Sequence, residues 1–399
     1  MSTPFYDLAS LVVVPSGYKA SKVYAQKPLT TDGQLAFSRA STATRVNASG
    51  LIETVSSNVP RLDYTNSTCP KLLLEPQRTN LVIYSSDFTD ASWGKAVAGS
   101  SSVTVTGNNT TAPDGTNTAD LISLSRSATS EIAALFRGTS TGTGTFKGSI
   151  WLKAKGTSDV GKTIDLWSWE GTTRGYTKVT LTANWVRYEQ DTTVFTGTGS
   201  ELFDFGLLPA AYSTSTTLNV EFYAWGAQSE AGAYSTSLIP TTSSTVTRLA
   251  DACSKTGISS LIGQTEGTLF VDLSEVNDLD FPEITIDNNN NTDRIVITRS
   301  SAGNWGIFVA STAAATYSVY STTSSANGKF ALAYSSAGYA LYRNGVQIVT
   351  GTYNLPAALS AIRFNGRSTS DFYSTKKVAQ ALLFKTRLTN AQLAELTTL

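Results

Sequence analysis

Histidine is absent from this chain of 399 residues, and cysteine occurs only twice. Without histidine there is no imidazole base, no histidine ligand for zinc, and neither a Ser-His nor a Cys-His catalytic pair. Cys69 and Cys253 lie far apart; they read as two unrelated reduced thiols, with a disulfide as the alternative. Charge is also scarce. Only 15% of residues are charged, 30 basic against 30 acidic, where an ordinary globular chain has roughly 25%. With no basic block, a nucleic-acid or anionic-membrane surface is not expected. No apolar run approaches the roughly 18 residues of a membrane span. The opening MSTPFYDLASLVVVPSG is apolar at residues 11–14 but lacks a basic leader, so no secretory signal is read. No GxGxxG, phosphate-loop, CxxC or GxSxG phrase occurs, which leaves nucleotide, redox and serine-hydrolase chemistry without a foothold.

What is present is Ser, Thr, Gly and Asn in quantity, with 41% hydrophobic and 10% aromatic residues. That balance favours extended, all-β structure with an ample core. The length allows about two to three domains.

Residues 1–82 have apolar clusters without a period. Leu51-Ile52, Leu62 and Leu72-Leu73-Leu74 are separated by Ser49-Gly50, Asn58, Pro60, Asn66 and Pro70, so no helical stripe survives. Four arginines, Arg39, Arg45, Arg61 and Arg78, punctuate the stretch. It is read as an extended N-terminal arm and docking segment that packs flat on another surface. That surface is a sister subunit, another protein or the chain's own sandwich.

From 83 to 251 short alternating runs recur, including SVTVT, TFKGSIWLKAKG, TIDLWSWEG and TLNVEFYAWGAQ, broken by Gly, Asn and Ser. Such spacing means a β-sandwich. A linker is expected at 252–262, after Pro240 and its Ser/Thr run. A second sandwich is expected at 263–399. There Arg343-Asn344-Gly345-Val346 is the strongest hairpin signal, because Asn-Gly supplies both positive-φ residues of a type I′ turn. The closing TNAQLAELTTL changes to helical spacing, with Thr389 or Asn390 as its cap. The fold class is therefore all-β: two tandem antiparallel β-sandwiches, an extended N-terminal docking segment and a short C-terminal helix.

Several phrases carry resemblances. SRASTATRVN, PRLDY and CPKLLLEPQRTNL, followed by NLVIYSSDFTDASW, resemble structural proteins of tailed bacteriophages. The block around Trp93, PDGT at 113–116, LTANWVRYE and AWGAQSEAGAYSTSLIP resembles a carbohydrate-binding-module-like jelly roll. ALYRNGVQI with VAQALLFKTRLTNAQLAEL resembles a laminin-G or concanavalin A-like lectin domain. Together they imply a virion surface protein, a fibre or decoration component of head or tail. It would be made in the host cytoplasm, homo-oligomeric, docked on other virion proteins through its N-terminal segment, and would contact host surface glycans. The alternatives are a purely structural capsid or tail protein and a polysaccharide-degrading enzyme.

Candidate site residues follow from strand geometry. Trp167 and Trp169 lie two apart and share one face of a strand. With Asp165 they form either a sugar-stacking platform or part of a core. Arg367, Phe372 and Tyr373 share a loop that could rim a lectin-like site. A glycosidase needs two carboxyl groups roughly 5 to 9.5 Å apart; Asp165 with Glu170, or Asp272 with Glu275, are the pairs to inspect, although no catalytic residue is assigned. DNNNNTD at 287–293 is oxygen-rich enough for calcium, but reads first as a solvated hairpin tip, so no metal or other cofactor is assigned. Exposed aromatic pairs on a sandwich face would favour glycan binding. Faces of Ser and Thr alone would favour a structural role.

Overall fold

The computed structural model describes all residues except 1–2, 139–142, 172, 198–200, 277–282, 291, 301, 313, 323–325 and 366–372. The chain is nearly all β and divides into two compact units, one of residues 1–50, 54–77 and 249–399, the other of 51–53 and 78–248. The expected sandwiches and C-terminal helix are both present, but the first unit is assembled from both ends of the chain.

That unit contains two antiparallel sheets around one core. Among the described residues, one sheet runs Val346–Gly351, Gly338–Arg343, Gly328–Ser335, Glu266–Ser274, Lys376–Phe384, Lys71–Leu74, Arg61–Asp63, with Leu11–Val13 also paired to Lys376–Phe384. The other includes Lys22–Tyr24, Gln34–Ser38, Ala252–Thr256, Ala361–Asn365, Glu283–Asp287, Arg294–Arg299 and Trp305–Ser311 in adjacent positions. Period-two alternation sends Leu269, Val271 and Leu273 into the core between them. Trp305 and Phe330 pack there with ring centroids 4.2 Å apart. On the opposite face, Phe270, Leu382 and Phe384 meet Leu393 and Leu396 of the helix Asn390–Thr398. Thr389 and Gln392 close a capping box at its start. Asn344 and Gly345 both take positive φ, +46° and +85°, as the type I′ turn requires.

Of the surfaces expected for the N-terminal segment, it is the chain's own sandwich that receives it, and the linker expectation is corrected. Residues 1–77, apart from 51–53, contribute strands to the C-terminal sandwich: Leu11 pairs with Leu383, Leu72 with Val378 and Phe37 with Cys253. Their apolar clusters look aperiodic because each strand is only three to five residues long. Residues 252–262 are equally built in. Ala252–Thr256 lies between Gln34–Ser38 and Ala361–Asn365, and Ile258 and Ile262 are buried in the core. Cys253 is a free, buried thiol, pushed up to about 12 by burial and by Asp251, and Cys69 is free and exposed.

A buried ion cluster holds this unit at the point where residues 39–75 meet residue 251. Arg39 donates to Asp251 Oδ1 at 3.0 Å and to the carbonyls of Ser41, Ser56 and Val59. Arg61 donates to Asp251 Oδ2, to Glu75 Oε2 at 2.6 Å and to the Thr44 carbonyl. Burial works against the Arg61 charge, but Asp251 and Glu75 outweigh it and hold its pKa above the ordinary arginine value. Removing one partner strands the other charges without water. Asp251→Ala is therefore expected to cost about 3–5 kcal/mol, measured by urea unfolding; a loss under about 1 kcal/mol, the range of surface pairs, would refute the keystone role.

A second pair joins the N-terminal strands to the C-terminal ones: Lys377 Nζ lies 2.8 Å from Asp63 Oδ1 and 2.7 Å from Glu275 Oε2. Burial raises the Asp63 pKa, but Lys377 overcomes it and the net shift is downward. A carboxyl with a depressed folded pKa contributes stability above its unfolded value, about 3.9, and loses it as pH falls through the folded value. The stability gap between the native chain and Asp63→Asn should thus be full near neutrality and close as pH drops below about 4. A gap that persists unchanged at pH 2 would rule this out.

The other unit is a sandwich of two antiparallel sheets. One runs Gly94–Val97, Ala133–Gly138, Glu201–Leu207, Thr163–Trp169, Thr173–Thr180. The other runs Ser102–Thr110, Ala119–Ser125, Asn219–Ala231, Gly144–Ala154, Val186–Glu189, with Thr193–Phe195 beside Gly144–Ala154. Ile122, Leu152, Ile164, Leu166, Phe205 and Phe222 fill the space between, and Phe88, Trp93 and Phe205 form an aromatic cluster there. The phrase 224–251 is pinned through Glu230, which accepts from Thr236 Oγ1 at 2.7 Å, while Arg248 donates to the same hydroxyl at 3.0 Å.

Candidate ligand-binding face

In Thr163–Trp169, Ile164 and Leu166 point into the core, so Asp165 and Trp167 point to the outer face of the five-stranded sheet. Trp167 stands opposite Asp204, and Asp165 opposite Gly206. Spacing in the sequence puts Trp167 and Trp169 on one face; the residue that shares the face of Trp167 is Asp165, and the ladder shifts register before Trp169. Nor does spacing reveal a cover. Residues 208–217 fold over this face, and Leu208 packs on Trp167 together with Ala134. Trp167 is left 3% exposed and Asp165 fully buried.

The cover is held from two sides. Asp165 accepts from Leu208 N–H at 3.1 Å and from Ser213 Oγ at 2.9 Å, and Ser213 lies 3.1 Å from the Tyr176 hydroxyl. Arg126 donates to the carbonyls of Leu208, Ser215 and Thr217 at 2.7, 3.0 and 2.8 Å. Burial pushes the Asp165 carboxyl up, against the pull of the Leu208 amide, Ser213, Tyr176 and Arg126. This carboxyl is an anchor for the cover, and of the three candidates Asp165 and Trp167 are buried, which leaves one tryptophan at the surface.

That tryptophan is Trp169. The strand ladder shifts register between 167 and 169, which re-aims its end. Trp169 is half-buried, and its ring meets Tyr212 at right angles with centroids 6.4 Å apart. Tyr212, on the cover, is 50% exposed. The two rings form a rim with an apolar surface open to solvent. Tyr212 was not anticipated; its signal in the sequence is a lone aromatic in the turn-forming PAAYSTST.

The remaining candidates separate. Tyr373 is half-buried, and its loop neighbours Arg367 and Phe372 lie outside the described residues. Glu170 accepts from the amides of Thr196 at 2.8 Å and Gly197 at 2.7 Å, so with Asp165 it makes two loop anchors and not an acid–base pair. In the other unit Glu275 pairs with Lys377. Within 287–293, Asp287 is paired with Arg363 and Asp293 accepts from Thr312, as a hairpin tip would. Trp185 and Trp225, on the other sheet, direct their indole N–H groups to Thr111 O and Thr118 Oγ1, each at 3.1 Å, and read as structural.

No family model matches the chain, and no curated protein matches it. Solved structures with partial likeness are β-sandwich domains. The CBM40 module of the Ruminococcus gnavus IT-sialidase, bound to α2,3-sialyllactose, aligns at 14% identity and a TM-score of 0.31, over 35% of this chain and 86% of that one. Domain 4 of the arabinanase AbnA of Geobacillus stearothermophilus, in complex with arabinotriose, aligns at 13% identity and a TM-score of 0.31, over 39% and 77%. The binding domain of botulinum neurotoxin serotype G aligns at 12% identity and a TM-score of 0.30, over 37% and 40%. At these scores no ligand is assigned from the likeness.

The two tryptophans should respond differently to truncation. Trp167→Ala empties a closed site and is expected to cost about 3–5 kcal/mol, while Trp169→Ala should cost under about 1.5 kcal/mol because its ring is half in water. Thermal melts of both variants decide this; equal losses would mean that the rim ring is core.

Proposed function

We propose that this protein is a glycan-binding, surface-displayed β-sandwich protein without catalytic activity, and that the Trp169–Tyr212 rim is its contact with sugar. The observation that carries this reading is a solvent-facing rim of half-buried Trp169 and exposed Tyr212, beside a sheet face whose other large ring, Trp167, is sealed away. Sugars present apolar C–H faces that stack on such rings, and the surrounding Ser and Thr hydroxyls of the cover supply hydrogen bonds. The carboxyl groups near the rim hold loops, which speaks against a hydrolytic pair at this place.

We further propose the setting: the surface of a tailed-phage particle, on the strength of the phrases at 39–93. A rim of two rings binds weakly. Many copies on one particle can raise apparent affinity by about 10² or more without new contacts. Dense display on beads should therefore capture a subset of a glycan array that the free chain binds about a hundredfold more weakly. Changing both Trp169 and Tyr212 to alanine should abolish capture with little loss of melting temperature. Undiminished capture by that double variant would overturn the assignment. Antibody labelling of particles of the phage that encodes the chain tests the setting, and particles without label would refute it.

A further inference from the structure

The other unit carries a cleft that has no part in the rim. It is open, about 410 Å³ in volume, and lined by Asp272, Ser274, Asn327, Lys329, Asn344 and Thr397 among others. Its size falls within the range of small-ligand pockets, about 300–1,000 Å³. Its floor is the outer face of a sheet. Val271 and Leu273 point into the core, so Asp272 between them points out.

Asp272 and Lys329 stand directly opposite each other on Glu266–Ser274 and Gly328–Ser335. Opposite charges in that register ordinarily close on each other. Here, among the described residues, the half-buried Asp272 carboxylate accepts no hydrogen bond from the protein, and Lys329 acts on it only through the field. Burial pushes this carboxyl up, with Lys329 and Lys71 pulling the other way. The carboxylate opens on the cleft, where a hydroxyl of a ligand can reach it.

The walls are built independently of any ligand. Asn344 Oδ1 accepts from Lys329 N–H at 2.9 Å, which fixes the hairpin turn against the strand end. Gly345 N–H donates to Thr397 Oγ1 at 2.9 Å, which fixes the same turn against the last helical turn. Asn327 Oδ1 accepts from Val276 N–H at 3.2 Å. Lys71 is held by Ser274 Oγ at 2.9 Å. An acceptor and a donor from neighbouring strands, not bonded to each other, therefore line one preformed cleft with hydroxyls and amides around them.

We propose that this cleft is a second binding site, for a neutral ligand with vicinal hydroxyl groups, such as one residue of a saccharide. One hydroxyl donates to the Asp272 carboxylate while its neighbour accepts from the Lys329 ammonium. The ligand thus bridges the two charges and gives the carboxylate the donors it lacks. A purely anionic or purely cationic ligand would satisfy one charge and repel the other. The site stands on its own residues and does not depend on the Trp169 rim.

Saturation-transfer NMR on the full chain tests it, with the methyl glycosides of glucose, galactose and mannose as probes and tetrahydropyran-2-methanol as a ring without vicinal hydroxyls. At least one glycoside should show transfer, and tetrahydropyran-2-methanol none. Asp272→Asn and Lys329→Gln should each weaken that signal about tenfold in apparent affinity, the scale of one charge-assisted hydrogen bond. Measured in a Trp169→Ala background, which removes the rim's contribution, the remaining transfer should persist and should still fall with Asp272→Asn and Lys329→Gln. Lys329 is only half-buried, so the Lys329→Gln variant keeps the test valid if Asp272→Asn misfolds. Transfer from no glycoside, equal transfer from the control ring, or transfer lost in Trp169→Ala but kept in the two cleft variants would each overturn the proposal.

Discussion

The buried carboxylate of Asp251 is the constraint on which the first unit depends. A charge removed from water is tolerated only when it is fully paired. Asp251 receives Arg39 on one oxygen, and Arg61 and the Glu75 amide on the other. Its own amide donates to Glu75 O at 2.9 Å. Strands from both ends of the chain are thereby locked to one point, just after the chain returns from the other unit at 248–249. The other unit leaves and returns through adjacent strands, Arg78–Asn80 paired with Val246–Arg248. A domain whose two ends lie side by side is tolerated as an insertion. The chain is accordingly one sandwich, closed by both termini, carrying a second within it.

This topology explains what could be read from the sequence and what could not. The hairpin at Asn344-Gly345, the capped helix at 390–398 and the alternation of Leu269, Val271 and Leu273 are local signals, and each forms as read. The N-terminal strands are different. Leu11 meets Leu383, a contact with no counterpart in local pattern, and three-residue strands are too short to show a period. The arginines of the first 80 residues were opaque for the same reason. Arg39 and Arg61 stood in the sequence without a visible role; they are buried side chains whose partner, Asp251, lies about 190 to 212 positions away.

The candidate site shows the same division. Strand spacing is local, so the strand was legible, but the register shift that separates Trp169 from Trp167 was not. Nor was the cover over the strand, because residues 208–217 have no period and are held by contacts from Arg126, 82 to 91 positions earlier. Burial of a strand face is decided by what lies across it, and no pattern within the strand reports that.

The cover in turn sets the character of the outer face. A loop fixed by a buried carboxyl below and a buried guanidinium at its side is hard to lift, since opening it would leave both groups without their partners. Trp167 is therefore sealed for as long as those contacts hold. What remains for a ligand is the edge where the strand ends and the cover begins, with Trp169 from one and Tyr212 from the other. The same contacts that deny the face a broad stacking platform hold Tyr212's loop still, and a ring held in place loses little freedom when a ligand arrives. Under the proposed function, a small aromatic rim would give low affinity per copy, which repetition on a surface would raise.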